Sequence, residues 1–252
     1  MLGHIALLSS TGLRMAAAVS PAETAAVARW LYRFGTLPRG PAIERDFGSD
    51  DEPMAVLGMN KGGRTRRILE AAYDAATIQG WYSFTEPNGL DQLPRACKLY
   101  ISPRPEALTD AFPIIAEQLV RFKVRSFKVG RGIEGLLRPD KIIAYFEGRA
   151  QMEEVAAALD ASLLGCPAQG TPFTAEAAGH GLLSWGVDPP LGNEAASWRA
   201  WITKQLAASL TAPQTGPGGD PVSAALREIA RAGVDPDHWI PSADVCWQPN
   251  PL

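Results

Sequence analysis

The sequence predicts an α+β fold: a single domain built on a mixed or antiparallel sheet flanked by helices, with an accessory C-terminal segment. Stretches with helical spacing of apolar residues alternate irregularly along the 252 residues with short runs of strand-forming residues. With 46% hydrophobic residues, a chain of this length can bury a substantial core. We expect strands at about 97–102, 122–130 and 141–146.

Three helices are predicted in the first half of the chain. The first covers residues 22–34, with Ser20 as its N-cap, because its apolar residues fall on one helical stripe. The second is expected over 64–78. A third begins at Pro105 and extends to about residue 120, and Pro113 is expected to kink or shorten it.

Residues 97–102, with the sequence CKLYIS, alternate between apolar and polar side chains. Leu99 and Ile101 point to one side of the predicted strand, whereas Lys98 and Tyr100 point to the other. This alternation is typical of a strand that is buried on a single face.

The predicted strand at 122–130 changes its alternation phase partway along. Val124 and Phe127 cannot face the same side of one regular strand, so a bulge or a restart is expected near Arg125 and Ser126. If Phe127 faces the core, Lys128 faces away from it.

The next elements follow the same reasoning. KIIAYF at 141–146 is a buried-strand run, and MEEVAAALDASLLG at 152–165 has helical spacing. Residues 166–193 are rich in glycine and proline, and we expect a long loop of functional importance there. Residues 197–210 return to helical spacing.

The domain boundary is predicted from a linker signal. TAPQTGPGGD at 211–220 separates a main domain at 20–210 from a C-terminal extension at 211–252. Within the extension, Asp220 and Pro221 are expected to start a short helix that ends at Gly233.

Charge is unevenly distributed along the chain. The formal net charge is −3, yet the segment from Arg95 to Arg149 has eleven Lys or Arg residues against six Asp or Glu. This excess is too small and too mixed for non-specific duplex binding, so no nucleic-acid partner is expected. It suits a compact anion such as phosphate.

Other classes of protein are disfavoured by composition. The three cysteines are widely spaced and the three histidines are scattered, which argues against a disulfide framework or a metal site. The N-terminal stretch has no basic region before its apolar residues, so we expect neither a signal peptide nor a membrane partner, and a cytoplasmic location.

The remaining candidates for chemistry are Lys, Arg and Tyr side chains. A lysine beside other cations can be neutral enough to act as a base, and arginines can hold a phosphoryl group by paired hydrogen bonds. Together these groups favour elimination of phosphate from a phosphorylated residue, which requires no metal and no other cofactor.

Several motifs resemble one family. KLYIS, then SFKVGRG about thirty residues later, LLRPDKIIAYF, GTPFT, LSWGVDPP and SWRAWI are similar to the HopA-like effector family of actinobacterial peptide-modifying pathways. This family is distantly similar to the phosphothreonine lyases of type III secretion and to the lyase domains of class III and IV lanthipeptide synthetases. The resemblance covers about residues 20–210 and is most specific at 98–146.

The resemblance implies a reaction and its partners. The substrate would be a phosphorylated precursor peptide, and the product would contain dehydroalanine or dehydrobutyrine, as in class V lanthipeptide-like biosynthesis of ribosomally made peptides. A separate Ser/Thr kinase would supply the phosphate, and a cyclase would act as a further partner.

The resemblance also implies roles for two strand positions. Lys128 falls where the lyases have their general base. Lys98 matches the lysine of their Lys-x-His motif, which contacts phosphate. Tyr100 replaces the histidine that protonates the leaving phosphate, so this chain departs from the pattern at the acid, and Tyr100 is equally suited to a packing or hydrogen-bonding role.

Further cations are expected around the phosphate. Arg138 and Arg199 match phosphate-binding arginines of the lyases, and Lys204 is a looser match. Arg131 is added from its place on the same basic stretch. Each has an ordinary structural alternative: Arg138, for example, can form a salt bridge with Asp140, just as Lys128 can be a surface strand lysine.

Two other functions fit the same residues. One is a non-catalytic protein that binds the leader or the phosphopeptide and partners a kinase or cyclase, which the missing histidine favours. The other is an effector that acts on host phosphoproteins, which would need a secretion signal that the sequence does not indicate.

Overall fold

The computed structural model describes residues 3–19, 23–47, 53–87, 97–178, 180–189, 197–213 and 220–242. The helices of these residues are α1 His4–Ala18, α2 Thr24–Arg33, α3 Pro41–Phe47, α4 Pro53–Val56, α5 Arg64–Ala72, α6 Leu108–Arg121, α7 Gly132–Leu136, α8 Arg149–Ser162, α9 Trp198–Thr211 and α10 Pro221–Arg231. The strands are β1 Asp74–Ile78, β2 Trp81–Thr85, β3 Cys97–Ile101, β4 Ser126–Gly130, β5 Ile142–Phe146, β6 Ala175–Glu176 and β7 Leu183–Val187.

The seven strands form one sheet in the order β1-β2-β4-β5-β3-β7-β6. Every neighbouring pair is antiparallel. The predicted α+β class with an antiparallel sheet is therefore confirmed. No helix of the described residues is both long and apolar enough to cross a membrane.

One face of the sheet is apolar. The pairing register places Phe84, Phe127, Ala144, Leu99 and Trp185 in a row across five strands, and all five side chains are buried. Opposed residues of antiparallel strands project from the same face, so this row forms a continuous surface. It joins one core with α6 and α8, whose contributing residues include Phe112, Ile115, Leu119, Val155 and Leu159.

The opposite face carries polar groups. Its central row runs across the same five strands as Ser83, Lys128, Ile143, Tyr100 and Ser184. As predicted, Lys128 lies on the side away from the core, because its neighbours in β4 are fully buried on the other face.

Helix α9 covers part of this polar face. A Cβ atom built on Gly186 of β7 would clash with the ring of Trp198, so the two elements are in direct contact. Consequently all five residues of β3 are buried, including Lys98 and Tyr100. The expectation that this strand would be buried on a single face is wrong, because a helix lies over its polar side.

The predicted helix over 64–78 is too long. Helix α5 ends at Ala72, and β1 begins at Asp74. A tight turn at Gln79 and Gly80, both with positive φ, then returns the chain into β2. Two such residues are typical of a two-residue hairpin turn. The alanines of the preceding segment favoured a helix, so the sequence did not indicate this hairpin.

The predicted strand over 122–130 is too long at its start. Helix α6 continues through Pro113 to Arg121, so the proline does not shorten the helix. Lys123 has a φ of 51°, and β4 begins only at Ser126, so the strand starts where the restart was expected. The apolar Val124 packs in the core from a turn.

Two further predictions need correction. The segment 166–193 is not a single loop, because it contains β6 and the fully buried β7. The helix predicted over 22–34 begins at Thr24, with Glu23 at its N-cap position. Ser20, the predicted cap, lies outside the described residues.

The C-terminal helix α10 has the expected limits. The Asp220 side chain accepts hydrogen bonds from the backbone N–H groups of Val222 and Ser223, and the chain turns at Gly233. Helix α10 packs against α9 and α1. Beyond it, Trp239 is buried and its ring meets Phe173 edge-on at 5.2 Å. The division of the chain at residue 210 stays a prediction.

Two glycines bring β4 and α7 together. A Cβ atom on Gly135 would lie 2.6 Å from the carbonyl carbon of Gly130 and 2.9 Å from its Cα atom. Because backbone atoms on both sides would clash, neither position has room for a side chain. This contact fixes the turn that follows Lys128.

We expect Gly135→Ala to lower the free energy of unfolding by about 2 kcal/mol or more, because the added methyl group overpacks a backbone contact. The matched control is Gly148→Ala, where no atom lies within 4 Å of the new Cβ. Urea denaturation of both variants checks this expectation. Equal stabilities would contradict it.

Candidate functional site

A buried carboxylate organises the polar side of the molecule. Asp140 is 2% exposed and accepts hydrogen bonds from Nε and Nη2 of Arg138, at 2.8 and 2.9 Å. Its Oδ2 atom also lies 2.9 Å from Nη1 of Arg199. One carboxylate therefore joins the entrance of β5 to the first turn of α9.

Tyr32 of α2 completes this cluster. Its hydroxyl accepts a hydrogen bond from Nη2 of Arg138 at 2.9 Å and donates one to Asp140 at 3.3 Å. Its backbone carbonyl accepts a hydrogen bond from Nη2 of Arg199 at 2.9 Å. The guanidinium carbon of Arg199 also lies over the Tyr32 ring, 4.9 Å from the ring centroid.

Electrostatics hold this cluster in its charged form. Burial opposes ionisation of Asp140, but Arg199 and Arg138 together outweigh it and hold the pKa of that carboxyl well below its usual range. Burial alone would lower the pKa of the Arg138 guanidinium, but the charge and hydrogen bonds of Asp140 outweigh it and raise that pKa. Asp140 and Arg138 are therefore both ionised at neutral pH.

Every nitrogen of the Arg199 guanidinium has a polar neighbour within the protein. Its Nε donates to the carbonyl of Pro172 at 3.1 Å, and its Nη2 donates to the carbonyl of Tyr32. Nη1 lies 2.9 Å from Oδ2 of Asp140. Arg199 is 1% exposed, so its positive charge acts through this buried cluster.

Tyr100 lies beside this cluster. It is 1% exposed, and its pKa is raised well above the usual range, chiefly by burial, which the positive charge of Arg199 only partly offsets. The carboxylate of Asp140 raises the pKa further. Tyr100 is therefore a protonated hydroxyl at neutral pH.

An aromatic ring connects Lys128 with the arginines. Nζ of Lys128 lies 4.4 Å from the centroid of Trp81, and the Arg138 guanidinium lies 4.8 Å from the same centroid. Nζ is also 5.7 Å from the ring centroid of Tyr145. Lys128 therefore lies against two aromatic rings, and the Trp81 ring also contacts the Arg138 guanidinium.

Lys98 is farther along the same face. It opposes Tyr145 on one side and Gly186 on the other, and its ammonium group pairs with Asp188. Lys98 is 8% exposed, so this ion pair supplies its counter-charge within the protein. The predicted phosphate contact is therefore already neutralised by a carboxylate.

Arg131 and Lys204 are exposed and line a cavity of about 1110 Å³. Arg138, Asp140 and Tyr32 lie in the wall of the same cavity. The structure therefore divides the predicted residues into two groups that meet at Arg138: a sheet-face group with Lys98, Tyr100 and Lys128, and a cavity group with Arg131 and Lys204.

The expectation for Arg199 is modified by the structure. The resemblance implied that Arg199 contacts phosphate, and a cation in the first turn of a helix is unfavourable for the helix dipole unless a negative charge lies nearby. Asp140 supplies a negative charge at this position. The structural salt bridge that was the alternative for Arg138 is also present.

Sequence reasoning missed three residues of the site. Asp140 was considered only as a salt-bridge partner, and neither Tyr32 nor Trp81 was singled out. The LRPDK stretch carries a signal for Asp140, because it places a carboxylate between two cations. Tyr32 and Trp81 carry none, since a helix tyrosine and a strand tryptophan are ordinary core residues.

A buried lysine next to Asp140 also escaped notice. Lys141 is fully buried and donates hydrogen bonds to the carbonyl of Pro103 at 2.8 Å and to Oε1 of Gln169. Burial lowers its pKa to about 7. The Gln169 side chain in turn donates to the carbonyls of Gly35 and Leu137, so this group joins four segments.

The fold is similar to that of two solved effector proteins. The effector protein from Pseudomonas syringae pv. tomato strain DC3000 has 14% sequence identity and a TM-score of 0.51, with 94% of this chain and 98% of that chain covered. The effector protein from Pseudomonas syringae pv. syringae strain 61 has 15% identity and a TM-score of 0.53, with 96% and 98% covered. At this identity the likeness shows the fold alone, and it supports the HopA-like fold that the sequence motifs imply. No protein-family model and no curated protein matches the chain.

We expect Asp140→Asn to lower the free energy of unfolding by about 3 kcal/mol or more at neutral pH, because Arg199 is left as an uncompensated buried charge. The folded-state pKa of Asp140 is lowered, so the stabilisation is present above the unfolded pKa of about 4 and is lost as the pH falls below it. Urea denaturation at a series of pH values measures the difference.

The exposed ion pair between Arg149 and Glu153 provides the matched control. Glu153→Gln is expected to cost less than about 1 kcal/mol. A pH-independent difference between the wild type and Asp140→Asn would show that the carboxylate charge is not what matters.

Proposed function

We propose that this protein is a phosphoserine/phosphothreonine lyase, a carbon–oxygen lyase that eliminates phosphate from a phosphorylated precursor peptide. The observation that carries the proposal is the row in which Lys128 and Tyr100 flank Ile143 on the polar face of the sheet. Their Cα atoms are two strand spacings apart, roughly 10 Å. The row therefore places a candidate base and a candidate proton donor on either side of Ile143. Because Tyr100 and Ile143 are buried, a substrate residue must displace the groups that cover them.

Elimination from such a residue involves two proton transfers. The neutral amine of Lys128 takes the proton from Cα, and the electron pair of that bond forms the Cα=Cβ double bond. The bond between Cβ and the phosphate oxygen breaks, and Tyr100 donates a proton to that oxygen, so the phosphate leaves as hydrogen phosphate. Solvent then restores both protonation states. The product is dehydroalanine or dehydrobutyrine.

Arg138 and Arg199 are suited to bind the leaving phosphate. Arg199 supplies a buried positive charge next to Asp140, and Arg138 reaches from the Asp140 cluster to the Trp81 ring that Lys128 also contacts. Asp140 competes for the same guanidinium groups, but it also holds them in place before the substrate arrives. Fixed cations of this kind stabilise negative charge as it develops.

The cellular context follows from the motif resemblance. The substrate is proposed to be a precursor peptide of class V lanthipeptide-like biosynthesis, phosphorylated by a separate Ser/Thr kinase and passed on to a cyclase. The proposed reaction uses only side chains of this chain and requires no cofactor.

A second candidate is a non-catalytic protein that binds the phosphopeptide and partners the kinase or cyclase. The raised pKa of the buried Tyr100 favours it, because an effective general acid has a pKa near the working pH. The ion pairs of Lys98, Arg138 and Arg199 within the protein favour it as well.

We expect Lys128→Ala to lower the rate of phosphate elimination by about 10²-fold or more, because the general base is lost, while phosphopeptide binding is largely retained. The assay uses a kinase-phosphorylated precursor peptide and follows loss of phosphoric acid by mass spectrometry. Lys128→Met preserves the aliphatic packing on Trp81 and guards against misfolding, and the exposed Lys61→Ala is the control. Wild-type protein that binds the peptide but never eliminates phosphate would establish the binding candidate instead.

Tyr100 can be tested separately through the pH profile of kcat. Because its pKa is raised, Tyr100 stays protonated across neutral pH, so the wild-type rate is not expected to fall as the pH rises to about 9. Tyr100→His is expected to introduce a decline above about pH 7, where histidine loses its proton. Tyr100→Phe is expected to lower kcat by about 10²-fold.

A Tyr100→Phe variant with the full wild-type rate would remove this residue from the mechanism. In that case a phosphate monoanion could carry its own proton into the leaving group, and Lys128 alone would be required.

A further inference from the structure

One wall of the cavity beside the candidate site carries cationic side chains. Along α2, the residues that face the cavity recur at helical spacing, so they form one stripe that lies apart from the buried Val27 and Leu31. This stripe consists of Ala25, Ala28, Arg29, Tyr32 and Arg33. A second wall comes from α9, where Ala200, Thr203 and Lys204 face the same space.

Arg29 and Arg33 are four residues apart and exposed on this stripe. Like charges at this spacing destabilise a helix slightly, and neither side chain forms a hydrogen bond or ion pair with a described residue. In other helices, the residue four positions after an arginine is a glutamate that pairs with it, as in Arg66 with Glu70 and Arg149 with Glu153. The cavity therefore concentrates cations whose counter-charges are not supplied by the described chain.

Arg131 and Lys204 add two further cations that have no ion-pair partner in the described part of the protein. Glu23 and Glu134 also line the cavity, so its unpaired groups are four cations and two carboxylates. This surplus favours an anionic occupant, although the chain as a whole carries a net charge of −3.

The cavity is continuous with the proposed phosphate site. Tyr32 belongs to the α2 stripe and also hydrogen bonds with Arg138 and Asp140. Arg138 lines the cavity and lies over the same Trp81 ring as Lys128. A polypeptide whose phosphorylated residue reaches Arg138 can therefore continue through this space.

We propose that the cavity binds the segment of the substrate polypeptide next to the phosphorylated residue, and that this segment carries anionic side chains. Arg29 and Arg33 would contact these groups from one wall, and Arg131 and Lys204 from the others. The anions are carboxylates or further phosphoryl groups, which share this chemistry. The identity of the reacting residue rests on the proposed lyase function, whereas the preference for an acidic flank does not.

The cavity has room for a short polypeptide segment. Its volume is about 1110 Å³, at the upper end of the range of about 300–1,000 Å³ for small-molecule pockets. The small side chains of Ala25, Ala28 and Ala200 leave space for a main chain, and the two carboxylates can meet its amide groups or a basic residue.

Fluorescence anisotropy with labelled synthetic peptides tests the proposal. One probe carries a single phosphoserine followed by several glutamates, the second has glutamine at those positions, and the third replaces the glutamates with phosphoserines. We expect wild-type protein to bind both anionic flanks about tenfold more tightly than the glutamine peptide, and this preference to weaken between about 50 mM and 200 mM salt. Preference for only one of the two anionic probes would identify the source of the charge.

The double variant Arg29→Gln/Arg33→Gln is expected to lose most of this preference and to bind the glutamine peptide as the wild type does. Arg67→Gln, at an exposed arginine of α5 outside the cavity, is expected to retain the preference. Equal binding of all three peptides by the wild type would overturn the proposal, as would a double variant that weakens all three equally. Tighter, Arg29- and Arg33-dependent binding of a single-stranded oligonucleotide would overturn the choice of a polypeptide.

This binding test is independent of turnover. A wild-type protein that prefers the anionic flanks but eliminates no phosphate would contradict the lyase function and leave the cavity assignment intact. Elimination that proceeds equally well on the glutamine peptide, without any binding preference, would support the lyase function and contradict the cavity assignment.

Discussion

The buried carboxylate of Asp140 is the interaction on which the candidate site depends. It lies between Arg138, two residues away in the chain, and Arg199 of α9. Tyr32, which contacts all three groups, comes from α2. Removing water from so many charges is costly, and only mutual pairing makes it tolerable. The cluster therefore keeps α2, α9 and the start of β5 in one arrangement, and the polar face of the sheet depends on that arrangement.

The same cluster determines the electrostatics around it. Arg199 and Asp140 act in opposite directions on Tyr100, and burial decides the outcome in favour of the protonated hydroxyl. Arg138 extends the positive charge outward, past the Trp81 ring, to the surroundings of Lys128. A lysine and a protonated tyrosine with different environments thus lie on one sheet face, with two arginines beside them.

The structural relatives are effector proteins with nearly complete coverage and low identity, so they share the fold and little sequence. On that fold, Tyr100 lies at the centre of the polar sheet face, and carboxylates pair with Lys98, Arg138 and Arg199. The two proposed functions differ in whether Lys128 and Tyr100 transfer protons.

Local patterns in the sequence determined the α+β class, most helices, and the outward orientation of Lys128, because strand alternation and helical periodicity are properties of neighbouring residues. They misjudged β1 and β7, whose short segments have no periodicity that distinguishes strand from helix or loop. The tertiary structure alone decided that Tyr32, Asp140 and Arg199 meet, since these contacts join residues more than fifty positions apart. It also decided that a helix buries Tyr100, and this burial, not the residue type, sets the proton affinity on which the proposed chemistry depends.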